Sequence, residues 1–194
     1  MDVTVEQQLI HRDLHIFTEM NLKLADYLQA TSTQWTMFGD LPKLTLGGCL
    51  MRAHRLSALQ QQFDAKELAQ FQEDKRQLEK NLTSNIAMSM RRLHQEAHLF
   101  LGQWCNYLGP THRQMVSDAA YYANVVDTRV VIEALVNKLR ERPFALDENV
   151  QTELTALDNN LRHRWQSGQF VWSLLWRSAY PKDKYWWLYG YPKI

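Results

Sequence analysis

Residues 64–108 read DAKELAQFQEDKRQLEKNLTSNIAMSMRRLHQEAHLFLGQWCNYL, with Gly102 the sole Gly or Pro. Leu68, Phe71, Leu78 and Leu82 recur at helical spacing. Ile86, Met90, Leu93, Ala97, Phe100, Trp104 and Leu108 continue that seam after a one-residue phase shift. Such a period predicts amphipathic helix, opened by the capping-type pair Asp64 and Glu67. As one helix it would run roughly 65 Å at 1.5 Å per residue. Its weakest point is Asn81–Asn85 (NLTSN), where a break can fall. This long central element sets the fold class as all-α.

Upstream, Thr4 and Gln7 have the spacing of a capping box. Ile10, Leu14, Phe17, Leu24 and Leu28 then form one stripe, with Leu9, Ile16, Met20 and Tyr27 on its flank. A helix apolar over so wide an arc packs against more than one neighbour. Residues 31–48 (TSTQWTMFGDLPKLTLGG) hold three of the seven Gly and read as a long loop. Trp35, Met37 and Phe38 suggest that this loop folds back on the core. A helix is predicted from Cys49 to Gln62.

Downstream, Gly109-Pro110 ends the central element and Thr111 with Gln114 opens a helix to about Glu141. Asp147 caps another, with Val150, Leu154, Leu157, Leu161 and Trp165 on one stripe and Gly168 as its stop. A short helix is predicted over Phe170–Tyr180, ended by Pro181. The expected architecture is an antiparallel bundle of five to six helices with an aromatic C-terminal tail. Residues 1–168 form the bundle, with its loop at 31–48, and residues 169–194 form a segment packed on it or open to a partner.

Composition narrows the function. The 194 residues carry 22 Lys plus Arg and 21 Asp plus Glu, a net charge of +1, which argues against a globally basic nucleic-acid binder. The chain begins without a basic, then apolar, leader pattern and holds no long uncharged apolar run. Two cysteines without framework spacing fit a reducing compartment, so a cytoplasmic location is expected. No P-loop, GxGxxG or GxSxG occurs, and no cofactor is implied.

Histidines supply one candidate site. His11 and His15 are spaced i, i+4, as are His94 and His98, the spacing of metal ligands on facing helices. At about 100° per residue both pairs fall about 100° and 140° from the centre of their apolar stripes, beside the core and not in it. The second pair resembles one element of the hemerythrin pattern. The rest of that pattern is missing: His54 has Ala58 four residues on, and His112 has Ser117 where Asp belongs. Cys49, after Gly47-Gly48 at an expected helix start, has the setting of a lowered thiol pKa, with His54 five residues on.

The C-terminal third carries the sharpest signal. Residues 161–194 hold six bases against one acid, Asp183, a net +5, which leaves −4 on the first 160 residues. They also hold ten aromatic residues, including four of the seven Trp in the last 23 positions. Trp, Tyr and Arg dominate interface hot spots. The expected function is therefore a non-catalytic helical interaction module, an adaptor or assembly factor. A protein partner or a second copy would be contacted by Trp176, Arg177, Trp186, Trp187, Tyr189 and Tyr191. Two alternatives stand beside it: a metal or small-molecule site using His94 and His98 with His11 or His15, and single-stranded nucleic-acid binding by the basic, aromatic tail. Residues 182–194 are expected to be dispensable for folding the bundle.

Overall fold

The computed structural model describes residues 3–109 and 119–193. Among them are seven α-helices and one two-stranded sheet, so the all-α expectation holds. Helix α1 spans Val3–Gln29 and α2 Leu46–Ser57. Two further helices, α3 over Ala65–Ser84 and α4 over Ile86–Leu108, divide the predicted central element. After them come α5 (Ala119–Val125), α6 (Asp127–Arg140) and α7 (Glu148–His163). Strands β1 (Trp165–Phe170) and β2 (Tyr189–Pro192) bracket the C-terminal segment.

The apolar periodicity places the core. On α1, Ile10, Leu14, Phe17, Leu24 and Leu28 are all buried, and so are Ile16, Met20 and Tyr27. That wide arc meets α2, α3 and α4. Helix α4 touches α1, α2, α3, α6 and α7, and its buried Leu93, Ala97, Phe100 and Trp104 are the centre of the molecule. Gly47 explains how α2 approaches α6 so closely. A Cβ there would lie 2.6 Å from Val131 Cγ1.

Local chemistry decides where the helices stop. The Asp64 side chain accepts from the Glu67 amide at 2.8 Å, and Glu67 returns the bond to the Asp64 amide at 3.0 Å. Asn85 accepts from the Met88 amide at 3.0 Å, capping α4 with a non-helical backbone of its own. The break thus falls within the expected weak stretch, and it accounts for the one-residue phase shift. Asp147 caps α7 by accepting from the Asn149 amide at 2.7 Å.

Several elements differ from expectation. Helix α1 already includes Val3, so Thr4 lies inside its first turn instead of ahead of it. Helix α2 begins at Leu46, capped by the Thr45 hydroxyl, and ends at Ser57, with one 3-10 turn at Gln60–Gln62. A turn-capping role for Thr111 and Gln114 falls outside the described residues. The element expected to run unbroken to Glu141 is interrupted at Val126, between α5 and α6.

The largest correction is at the C-terminus. The predicted helix Phe170–Tyr180 is absent, and Gly168 and Trp165 belong to β1 instead of the α7 stripe. Strand β1 pairs antiparallel with β2, Trp165 opposite Pro192 and Phe170 opposite Tyr189. Only a 3-10 turn, Leu174–Ala179, remains helical there, followed by another at Trp186–Leu188. Gly190 makes the pairing possible. Its φ is +146°, and a Cβ on it would stand 2.1 Å from the Gln166 carbonyl oxygen. Among the described residues no helix is long and apolar enough to cross a membrane.

Candidate functional site

The long loop is ordered from beneath by two side chains of α4. Arg92, 2% exposed, donates to the carbonyls of Ser32 (2.7 Å), Tyr27 (3.2 Å) and Ala30, closing the C-terminal end of α1. Glu96, fully buried, accepts from the amides of Leu46 (2.7 Å) and Gly47 (2.8 Å) at the start of α2, and from the Tyr27 hydroxyl. One turn of α4 therefore satisfies the orphan carbonyls of one helix and the orphan amides of the next. Burial raises the Glu96 carboxyl above its ordinary range, and the bonds from Gly47, Tyr27 and Leu46 pull it part of the way back.

Cys49 lies at that same helix start, fully buried. Burial pushes its thiol up, with Arg52 pulling it down less strongly, so it is a neutral thiol and not an activated thiolate. His54 is at the surface instead, and the Cys-His pair is not formed. The helix starts three residues before Cys49, whose amide already bonds the Thr45 carbonyl at 3.1 Å, and desolvation outweighs the helix dipole there.

The loop itself makes a turn. Trp35 and Leu44 exchange backbone hydrogen bonds at 3.0 and 2.8 Å, Gly39 takes φ +69°, and Lys43 reaches Gln34 Oε1 at 3.2 Å. Trp35 and Met37 pack inward as expected. Phe38 does not: it is 91% exposed, the most exposed large apolar side chain among the described residues. Beneath it is a hollow lined by Arg12, His15, Ile16 and Leu41. A second hollow adjoins it through Arg12, Ile16 and Asp40 and runs on to Pro42, Arg55 and Trp176. Its base is rigid. Arg55 donates to Asp13 through Nε at 2.6 Å and through Nη2, Arg52 Nε stands 3.2 Å from the same carboxylate, and the Arg55 guanidinium lies 4.6 Å from the Trp176 ring centre.

Most of the expected contact residues face inward. Trp176, Trp187 and Tyr189 are 7%, 3% and 5% exposed, and Trp186 and Tyr191 are half-buried, while Arg177 is exposed. The Trp187 ring lies 3.7 Å beneath the Arg129 guanidinium, which also donates to Asp158 (2.9 and 2.8 Å) and Glu133 (3.0 Å). Arg162 covers Trp186 at 4.0 Å. The Tyr122 hydroxyl donates to the Trp187 carbonyl at 2.7 Å. Cations and rings of the segment thus meet each other and the bundle, because stacking a guanidinium on a ring satisfies both without water.

The histidine pairs are not brought together. His11 bonds Glu67 at 2.7 Å, His94 accepts from the Asp147 amide at 3.3 Å, and His15 and His98 are exposed. Among the described residues no three His, Cys, Asp or Glu side chains gather as ligands for one ion. Periodicity had already turned these pairs off the core stripe.

A cleft that sequence reasoning missed lies between α2, α3, α6 and the C-terminal segment. It holds about 750 Å³ of empty space, counting its open mouth, over a floor of Leu50, Met51, Leu78 and Val130. On its α2 wall, His54 Nε2 stands 2.8 Å from the Ala179 carbonyl oxygen and 3.3 Å from the Tyr185 hydroxyl. Three residues on, Ser57 Oγ accepts from Lys75 Nζ at 3.2 Å. The i, i+3 spacing of His54 and Ser57 was visible in the sequence. Their partners, 131 and 18 positions away, were not. No family model, curated protein or solved structure matches the chain.

Proposed function

We propose that this chain is a non-catalytic helical interaction module, an adaptor or assembly factor, that binds a protein partner through the two adjoining hollows along α1. The observation that carries this reading is Phe38, held outward by a turn tied at Trp35–Leu44 and by Gly39. A large ring kept in water by an ordered backbone pays little ordering entropy when a partner covers it, which is how anchor residues bind. Trp176, Ile16, Leu41 and Pro42 supply apolar neighbours, and Arg12 and Asp40 supply a charged rim. Of the aromatic segment, Trp176 lines this face, and Trp187 and Tyr189 serve to build the scaffold. Two free cysteines, one exposed, support a reducing, cytoplasmic setting.

The test is partner capture by the full chain, together with sedimentation of the chain alone. Phe38→Ser is expected to leave stability within about 0.5 kcal/mol, as for other exposed positions, and to abolish capture or self-association. Tyr191→Ala is expected to retain it. The opposite ranking would return the role to the tail. A wild-type chain that stays monomeric and captures nothing would overturn the reading.

A further inference from the structure

The cleft between α2, α3 and α6 lies apart from the proposed partner face, and its charges are unevenly committed. Glu79 holds Lys138 through both oxygens at 2.8 Å, and Glu141 holds the same ammonium at 2.9 Å. Both carboxylates of the cleft thus turn to one lysine, in a trio that carries one net negative charge. Lys75, half-buried on the facing wall, makes no ion pair among the described residues; its ammonium meets the Ser57 hydroxyl and the Phe71 ring. The Ser57 proton is already given to the Ala53 carbonyl at 2.6 Å, so Lys75 is the donor of this pair. At the rim Lys184 approaches Asn137 at 3.5 Å and adds a second uncompensated cation.

One helical turn along α2 is a second donor. A neutral His54 directs its Nε2 proton to the Ala179 carbonyl at 2.8 Å, so Tyr185, 3.3 Å from that nitrogen, can only accept from it. Among the described residues the hydroxyl proton of Tyr185 meets no acceptor. Burial pushes that phenol up to about 12, and desolvation of its ring lowers His54, so both stay neutral and keep these roles near pH 7. An apolar floor, a phenolic donor on the wall, and the ammoniums of Lys75 and Lys184, which outweigh the single net negative charge of the Glu79–Lys138–Glu141 trio, form a single recognition pattern.

We infer that the cleft is a binding site for a small amphipathic acid, an apolar chain bearing one carboxylate. The chain lies on Leu50, Met51, Leu78 and Val130, and the carboxylate is held between Lys75 and the buried Tyr185 hydroxyl. The experiment is equilibrium dialysis of the full-length protein with radiolabelled decanoate, repeated with decanol. Saturable binding of one decanoate per chain is expected, with decanol at least about tenfold weaker. Lys75→Ala weakens decanoate by about tenfold or more, the loss of one charge-assisted bond. Tyr185→Phe, which keeps the ring, weakens it severalfold and serves as a second probe should Lys75→Ala lose its fold. Phe38→Ser leaves decanoate binding unchanged, so this site and the partner face fail or survive separately. No saturable decanoate binding, equal affinity for decanol, or a folded Lys75→Ala that binds as wild type would overturn the inference.

Discussion

At the scale of single residues the fold turns on Glu96. Its two oxygens face three donors, the amides of Leu46 and Gly47 and the Tyr27 hydroxyl. Glu96→Gln keeps one acceptor and turns an NH2 group toward a donor, leaving a buried polar group unpaired. A cost of about 1–3 kcal/mol in urea unfolding is expected. The pH dependence has a definite sign. Folding raises this carboxyl from its ordinary 4.5, so its contribution is complete below that value and declines as pH climbs through the folded one. The gap between wild type and Glu96→Gln is therefore widest near pH 4.5 and narrows toward pH 8. A gap that widens toward pH 8 would show that folding prefers the carboxylate. None of this was legible in the sequence. Glu96 lies 50 positions from Leu46 and 69 from Tyr27, and no local pattern sets a buried helical Glu apart from a solvated one. Phe38 escaped for the opposite reason: an aromatic residue in a loop is normally drawn inward, and only the backbone of the turn keeps it out.

At the scale of elements, periodicity carried the reading well and composition carried it poorly. The stripes of α1, α4 and α7 were legible because 3.6-residue spacing over several turns has no competing explanation. The Asp64, Asn85 and Asp147 boundaries were legible to within the expected stretch because caps are local chemistry. Asn85→Ala should remove one such cap at a cost of about 1 kcal/mol in thermal unfolding while leaving α3 and α4 separate. The sheet was not legible. Strand β1 is WQSGQF, six residues without alternation, and its partner begins nineteen positions beyond its end. The pair depends on Gly190, whose φ of +146° and contact with the Gln166 carbonyl exclude a side chain. Gly190→Ala is expected to cost about 1–3 kcal/mol from backbone strain alone and to dissolve the edge-on packing of Trp165 against Trp186, 5.1 Å apart. Near-ultraviolet circular dichroism reads that loss directly. An unchanged spectrum would show that the rings hold together without the strand pair.

At the scale of the whole molecule, the division of charge acquires a physical meaning. A segment of +5 lies against a body of −4, yet the contact at their junction is a ring under a buried guanidinium, Trp187 under Arg129, while Trp186 lies under the exposed Arg162 of its own segment. Contacts of that kind are short-ranged and desolvated, so raising NaCl from 0.05 to about 0.5 M should change global stability little. Removing the segment is another matter. Tyr185, Trp187, Leu188 and Tyr189 are each no more than 5% exposed and lie within residues 182–194. Burying each is worth about 1.5–3 kcal/mol, and truncation would also leave Arg129 without its ring and open the cleft walled by Tyr185. The sum approaches the whole stability of an ordinary domain, about 5–15 kcal/mol. A chain ending at Pro181 is therefore expected to lose cooperative unfolding at 25 °C, against the expectation from sequence that the bundle stands without its tail. A truncated chain that still unfolds cooperatively, with a midpoint near that of the full length, would show that the helices alone complete the core and that the aromatic segment is free for another use.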